Sequence, residues 1–317
     1  MKVGIVGSGL VGATAAYALI LRGLCREIVL VDKDAKRAGA EADDLHHAVP
    51  FSHPAQVFAG DFADLADARL VILSAGVSQK PGENRIDLLR RNAAVFQDIV
   101  PKILEQAPSA ILLVATNPVD LMTHMTARYA VDAGGETRQV LGSGTLLDTA
   151  RFRTLLSRRL GVDSHHVHAY VIGEHGDSEV LAWSSVNVAG MSLRKFRDAA
   201  NVDFDDGEQR EEIEVQVRNA GYRIIEGKGA TYYGVGAALA KIAEVILRDQ
   251  RAVLTVSGPT SCVPDAPDVA LSLPRIVGGE GILSTISMPM NAGEMEGLQR
   301  SARLLRGHLD ELDEAMS

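Results

Sequence analysis

The first half of the chain alternates short, unbroken apolar runs with longer stretches whose apolar positions recur every three or four residues. The runs are Val3–Val6, Glu27–Val31, Leu70–Leu73, Ala110–Ala115 and Gln139–Leu141. Between them, Val11–Arg22 and Ile86–Gln106 carry helical periodicity. An unbroken apolar run suits a strand covered on both faces. Strand, helix and strand in repetition imply a parallel sheet with right-handed crossovers. The pattern changes near residue 143. Arg151–Leu160 predicts a helix and Val167–Ile172 a strand. Residues 208–228 and 231–248 predict two helices parted at Gly229. Ala252–Ser257, Val269–Pro274 and Gly281–Thr285 predict a small antiparallel meander, and residues 292–310 a last amphipathic helix. With no linker, repeat or low-complexity segment, two domains in contact are expected, over residues 1–142 and 143–317.

Composition narrows the function classes. At 317 residues, 46% apolar and 23% charged, the chain has ample material for buried cores. A net charge of −9 without a basic run speaks against nucleic acid and anionic membranes as partners. Small anions would need local positive charge. Cys25 and Cys262 match no metal or redox spacing, so no metal is expected and a reducing, cytoplasmic setting is the simplest reading. The first 21 residues superficially mimic a signal peptide, but no stop-transfer pattern follows.

Their glycines have a better explanation. Gly7, Gly9 and Gly12, with Val11 between the last two, follow an expected strand and open an expected helix. Gly7 permits the tight turn, Gly9 lets a pyrophosphate approach the backbone, and Gly12 lets the helix pack close to the strand. The helix N-terminus then offers free N–H groups to the phosphates. Asp32 ends the next strand, where a ribose-binding acid belongs, and favours NAD over NADP. The fold class is therefore α/β: a doubly wound parallel sheet of Rossmann type, followed by an α+β substrate-binding domain.

Three segments carry the chemistry. Ser78–Arg85 (SQKPGENR) is a loop beyond a strand's carboxyl end, the functional side of a parallel sheet. Gly142–Arg151 places Asp148 and Arg151 three apart on one helix face. Ile172–Ser178 holds His175 between glycines after a strand. Hydride transfer to a 2-keto acid needs a guanidinium for the carboxylate, a donor at the carbonyl, and an acid working near neutral pH. A carboxylate behind the histidine would orient it and favour its charged form. Arg151, Arg85, His175 and Asp148 are the candidates; the sequence alone does not show that they converge.

Together the segments resemble the L-lactate/malate dehydrogenase family along nearly the whole chain. The resemblance runs through SQKPGENR, ATNPVD at 115–120, GSGTLLDTARFR at 142–153, IGEHGDSEV at 172–180, KGATYYG at 228–234 and SLPRIVG at 272–278, and the lactate branch is the nearer. It implies His175 as proton donor and acceptor, Asp148 as its partner, Arg151 on the substrate carboxylate, and Arg85 as a mobile-loop residue polarising the ketone. It implies that Asn117 and Ser143 lie near nicotinamide and substrate, and that the Asn117–Pro118 bond is cis. Gln79 stands where the malate branch carries arginine, and Thr231 faces the substrate's distal group in relatives; both favour pyruvate and lactate over oxaloacetate and malate. A malate dehydrogenase, a broader 2-keto acid reductase and a catalytically silent NAD-binding protein are the alternatives. The resemblance further implies a homotetramer, a place at the end of anaerobic glycolysis, and a fructose 1,6-bisphosphate activator site at Arg153 and His168.

Overall fold

The computed structural model describes residues 1–77, 85–205, 207–263 and 269–316, and of Arg85 the backbone but not the side chain. The expected alternation is present. Strands β1 (Lys2–Val6), β2 (Glu27–Val31), β3 (Gln56–Ala59), β4 (Ala68–Leu73), β5 (Ile111–Val114) and β6 (Val140–Gly142) run parallel to one another. Helices α1 (Leu10–Leu21), α2 (Ala35–Ala48), α3 (Arg85–Gln106) and α4 (Val119–Asp132) connect them. Strand β1 lies between β2 and β4, so the winding reverses there and opens a crevice at the strands' carboxyl ends. The short strand β3 is absent from the periodicity reading. It forms the sheet's outer edge, where half-exposed residues leave no unbroken apolar run.

The second half contains α5 (Leu146–Leu160), β7 (Val167–His168), β8 (Val171–Ile172), β9 (Val180–Leu181), β10 (Asn187–Val188), β11 (Met191–Ser192), α6 (Leu193–Ala200), α7 (Glu208–Arg218), α8 (Ala220–Lys228), α9 (Tyr233–Leu247), β12 (Ala252–Thr260), β13 (Val269–Gly278), β14 (Gly281–Thr285) and α10 (Ala292–Met316). Three expectations change. The 167–172 strand is two short strands, β7 paired with β10 and β8 with β9, in different sheets. The 208–228 helix divides at Asn219. The meander is not a separate small sheet: β12 pairs with β6 through Ser257 and Gly142, making one nine-stranded sheet. The free edge of β6 needs a cover, and apolar patterning does not say which strand supplies it.

One core cluster lies on each face of the large sheet, filled by α3, α4 and α10 on one side and by α1 and α9 on the other. A third cluster lies under α5, α6 and α7, around Phe152, Trp183 and Phe204. Phe152 and Trp183 meet edge to face at 4.6 Å between centroids. Among the described residues, no helix is long and apolar enough to cross a membrane.

Candidate active site

The turn from β1 into α1 is shaped for close approach. Gly7 has φ +99°, and a Cβ there would lie 2.3 Å from the Ala75 nitrogen. A Cβ on Gly12 would lie 2.1 Å from the Gly7 carbonyl oxygen, so only glycine lets α1 pack this near the turn. Gly9 differs: a Cβ there would meet nothing within 4 Å among the described residues. That open space lies at the N-terminus of α1, where no side chain caps the helix and the N–H groups are left for an anion. Asp32, just past β2, accepts hydrogen bonds from the Ser8 N–H at 2.7 Å, the Ser8 hydroxyl at 3.1 Å and the Asp34 N–H at 3.0 Å. Burial would raise its carboxyl, but these bonds and the Arg37 charge outweigh burial and hold it below the usual range. Gly7, Gly9, Asp32, Lys33, Ser74 and Gly76 help line a cleft of about 890 Å³. An extended dinucleotide fits this set: an open glycine shelf for its pyrophosphate and a fixed carboxylate for its ribose. Val11 is half-buried and packs toward the core behind the shelf.

A second cleft, of about 370 Å³, gathers the chemical residues. Asp148 lies in the first turn of α5 and is 2% exposed. Its Oδ2 meets His175 Nδ1 at 2.6 Å, and its Oδ1 accepts from Arg151 Nη1 at 2.7 Å. Asp148 thus bridges the imidazole and the guanidinium. With Nδ1 engaged, Nε2 is the ring nitrogen left for a substrate. Burial by itself pulls the His175 pKa down. The Asp148 carboxylate and its hydrogen bond, with Asp120 and Glu179, overcome that and raise it to about 9. Burial likewise penalises the Asp148 charge, and His175 and Arg151 outweigh it, so its pKa lies below the usual value.

Asn117, Pro118 and Thr231 line the same cleft. The Asn117–Pro118 bond is cis, the isomer the resemblance implied. Ser143 sits at the end of β6, its N–H bonded to the Val114 carbonyl at 2.8 Å, and lines neither cleft. Arg85 begins α3, but its side chain lies outside the described residues, as does Gln79. Arg153 and His168 lie apart from the cleft: Arg153 Nε donates to the Ala169 carbonyl at 3.0 Å and its guanidinium stacks 5.3 Å from the Tyr170 ring, while His168 is exposed on the neighbouring β7.

Two residues were missed by the sequence reading. Asp120, in the first turn of α4, accepts from the His175 backbone N–H at 2.7 Å. Glu179 is 4% exposed, lines the His175 cleft, and has one carboxyl oxygen buried without a hydrogen-bond partner among the described residues. Both sit inside the motifs ATNPVD and IGEHGDSEV, but nothing in those motifs marks which acid turns inward.

Models of the lactate/malate dehydrogenase NAD binding domain and of the lactate/malate dehydrogenase alpha/beta C-terminal domain match residues 1–142 and 145–316. The chain belongs to the lactate/malate dehydrogenase family. It is similar to an L-lactate dehydrogenase of Deinococcus radiodurans, 54% identical over 98% of this chain and 99% of that one. It is 54% identical to an L-lactate dehydrogenase of Thermus aquaticus, over 97% of this chain and 98% of that one. Among solved structures, a lactate dehydrogenase enzyme from a Medee basin deep-sea metagenome library superposes with a TM-score of 0.94 at 40% identity, covering 98% of each chain. Within this family, an NAD-binding domain accounts for the glycine shelf and for Asp32.

Proposed function

We propose that the chain is an NAD-dependent L-lactate dehydrogenase interconverting pyruvate and (S)-lactate. The carrying observation is the hydrogen-bonded line Arg151–Asp148–His175 in one cleft, with Asp148 buried between its partners. The close likeness to L-lactate dehydrogenases over nearly the full chain supports the same reading.

When bound, NADH supplies the hydride that pyruvate accepts at C2. Gly7, Gly9, Gly12 and Val11 at the α1 shelf, with Asp32 and Asn117, hold the cofactor in this reading. Arg151 binds the substrate carboxylate with the donors that Asp148 leaves free. His175 gives the proton on Nε2 to the carbonyl oxygen and recovers one from lactate in the reverse direction. Asp148 keeps the ring oriented and stabilises the imidazolium. Arg85 polarises the carbonyl in this reading. Gln79 and Thr231 select a substrate without a second carboxylate. The two units are residues 1–142 for the cofactor and 143–317 for the substrate.

The proposal extends to a homotetramer, in the cytoplasm, at the last step of anaerobic glycolysis. Exposed apolar Leu10, Tyr17, Phe51 and Tyr233 around one groove support self-association. The half-buried Arg153 and the exposed His168, on adjoining segments, are the proposed phosphate partners for fructose 1,6-bisphosphate. The test is NADH oxidation by purified protein with pyruvate or oxaloacetate, each with and without the bisphosphate. A strong pyruvate preference is expected, with stimulation at subsaturating pyruvate. Preference for oxaloacetate would replace the substrate assignment, and turnover with neither would overturn it.

A further inference from the structure

His175 is held between two buried carboxylates, each in the first turn of a helix. Asp148 on α5 meets the ring, and Asp120 on α4 meets the backbone. Asp120 is 2% exposed and uses both oxygens: Oδ2 accepts from the His175 N–H at 2.7 Å, and Oδ1 from the Ser257 hydroxyl at 2.6 Å. Ser257 lies where β12 joins β6, so one carboxylate ties α4, the large sheet and the histidine loop together.

These bonds do not need a charge. An asparagine could accept from the His175 N–H and still meet the serine. A buried carboxylate without a cation is costly. Among the described residues, the charged groups acting on Asp120 are His175, which favours its ionised form, and Glu174, which opposes it. Asp120 and Asp148 both stand in helix first turns, where the positive helix end by itself disfavours a nearby imidazolium. A negative charge in each first turn reverses that field.

We propose that Asp120 is a positioning residue for the reaction: it fixes the His175 backbone and, as a second nearby negative charge, keeps His175 in the protonated form that a 2-keto acid requires. This rests on His175 as proton donor, the reading given above. Burial lifts the Asp120 carboxyl to about 6, which leaves it ionised at neutral pH. The acids facing His175 are Asp148 from α5, Asp120 from α4 and Glu179 from the loop before β9, with burial opposing all three. Arg151 stands behind Asp148.

The test is the variant Asp120→Asn in the full chain, with a histidine-labelled NMR titration in the absence of substrate. The His175 resonance is assigned by its loss in His175→Asn. In Asp120→Asn the His175 titration moves down by about one pH unit, as expected for losing one nearby charge. The pH at which pyruvate kcat/KM declines moves with it, while NADH affinity by fluorescence stays within about twofold because the phosphate shelf is untouched. An unmoved titration, with kcat lowered equally at every pH, would overturn the proposal and leave Asp120 a structural residue. Should Asp120→Asn fail to fold, Ser257→Ala decides: the His175 signal carries a second, smaller inflection as Asp120 ionises, losing the bond that lowers the Asp120 carboxyl moves that inflection up, and a His175 signal without it overturns the proposal. The titration is read without turnover, so an unsubstituted protein inactive on pyruvate would sink the proposed function separately.

Discussion

Replacing Asp148 by Asn removes one charge and keeps the shape of the side chain. Arg151 Nη1 donates to Oδ1 at 2.7 Å, so the new carbonyl oxygen stays on the arginine. The amide N–H groups then face His175 Nδ1, which the native Oδ2 approaches at 2.6 Å. Two donors cannot share that contact, so Nδ1 is forced into its unprotonated form. The His175 pKa then falls from about 9 to its ordinary 6.5 or below. That difference corresponds to about 3.4 kcal/mol, at about 1.36 kcal/mol per unit. For a reaction drawing on protonated histidine, the loss grows with pH. It is slight near pH 5, about 10-fold near pH 7.5, and about 200-fold near pH 9.5, as the two protonated fractions diverge. The assay is pyruvate kcat/KM, followed by NADH absorbance at each pH in the native and Asp148→Asn proteins. A loss of constant size across that range would refute the reasoning, because it would mean that Asp148 acts without changing the proton on His175.

Other outcomes follow from the same geometry. In the native protein, pyruvate affinity in the NADH complex should fall as pH rises through about 9, because the raised pKa keeps His175 protonated below it; a flat profile of pyruvate KM would contradict this. Glu179 holds its proton more tightly folded than unfolded, at about 8 against 4.5, by burial first and then the Asp148 charge. Its contribution to stability is therefore lost as pH rises from 4.5 through about 8. Glu179→Gln should flatten the decline of urea-unfolding stability over that window and stabilise the protein near pH 9 by on the order of 2 kcal/mol; an unchanged slope counts against a protonated Glu179. Gly9→Ala should leave Tm unchanged, since its Cβ meets nothing within 4 Å, yet weaken NADH binding about 10-fold or more by filling the phosphate shelf. Gly12→Ala should lower both, since its Cβ falls 2.1 Å from the Gly7 carbonyl oxygen. Equal NADH affinity in Gly9→Ala and the native protein would move the cofactor elsewhere.

Much of the molecule is local chemistry and was legible along the chain. The buried strands β1, β2, β4 and β5 read as apolar runs because helices cover both their faces. The glycine shelf and Asp32 were legible because their spacing is set by one turn and one crossover. Asp148 and Arg151 share a helix face by periodicity alone, and the structure does bond them. Whatever depends on pairing across long stretches of sequence was decided only by the tertiary structure. Strand β12 closing on β6, 115 residues apart at Ser257 and Gly142, could not be read from apolar runs that fit any free edge equally well. Nor could the sequence say which acids turn inward. Asp120 meets His175 across 55 residues, and Glu179 is buried beside it with an unpartnered oxygen. An acid is written the same way in a sequence whether water or a histidine faces it. Its proton affinity, and so its part in the chemistry, exists only once folding has removed the water and fixed its neighbours.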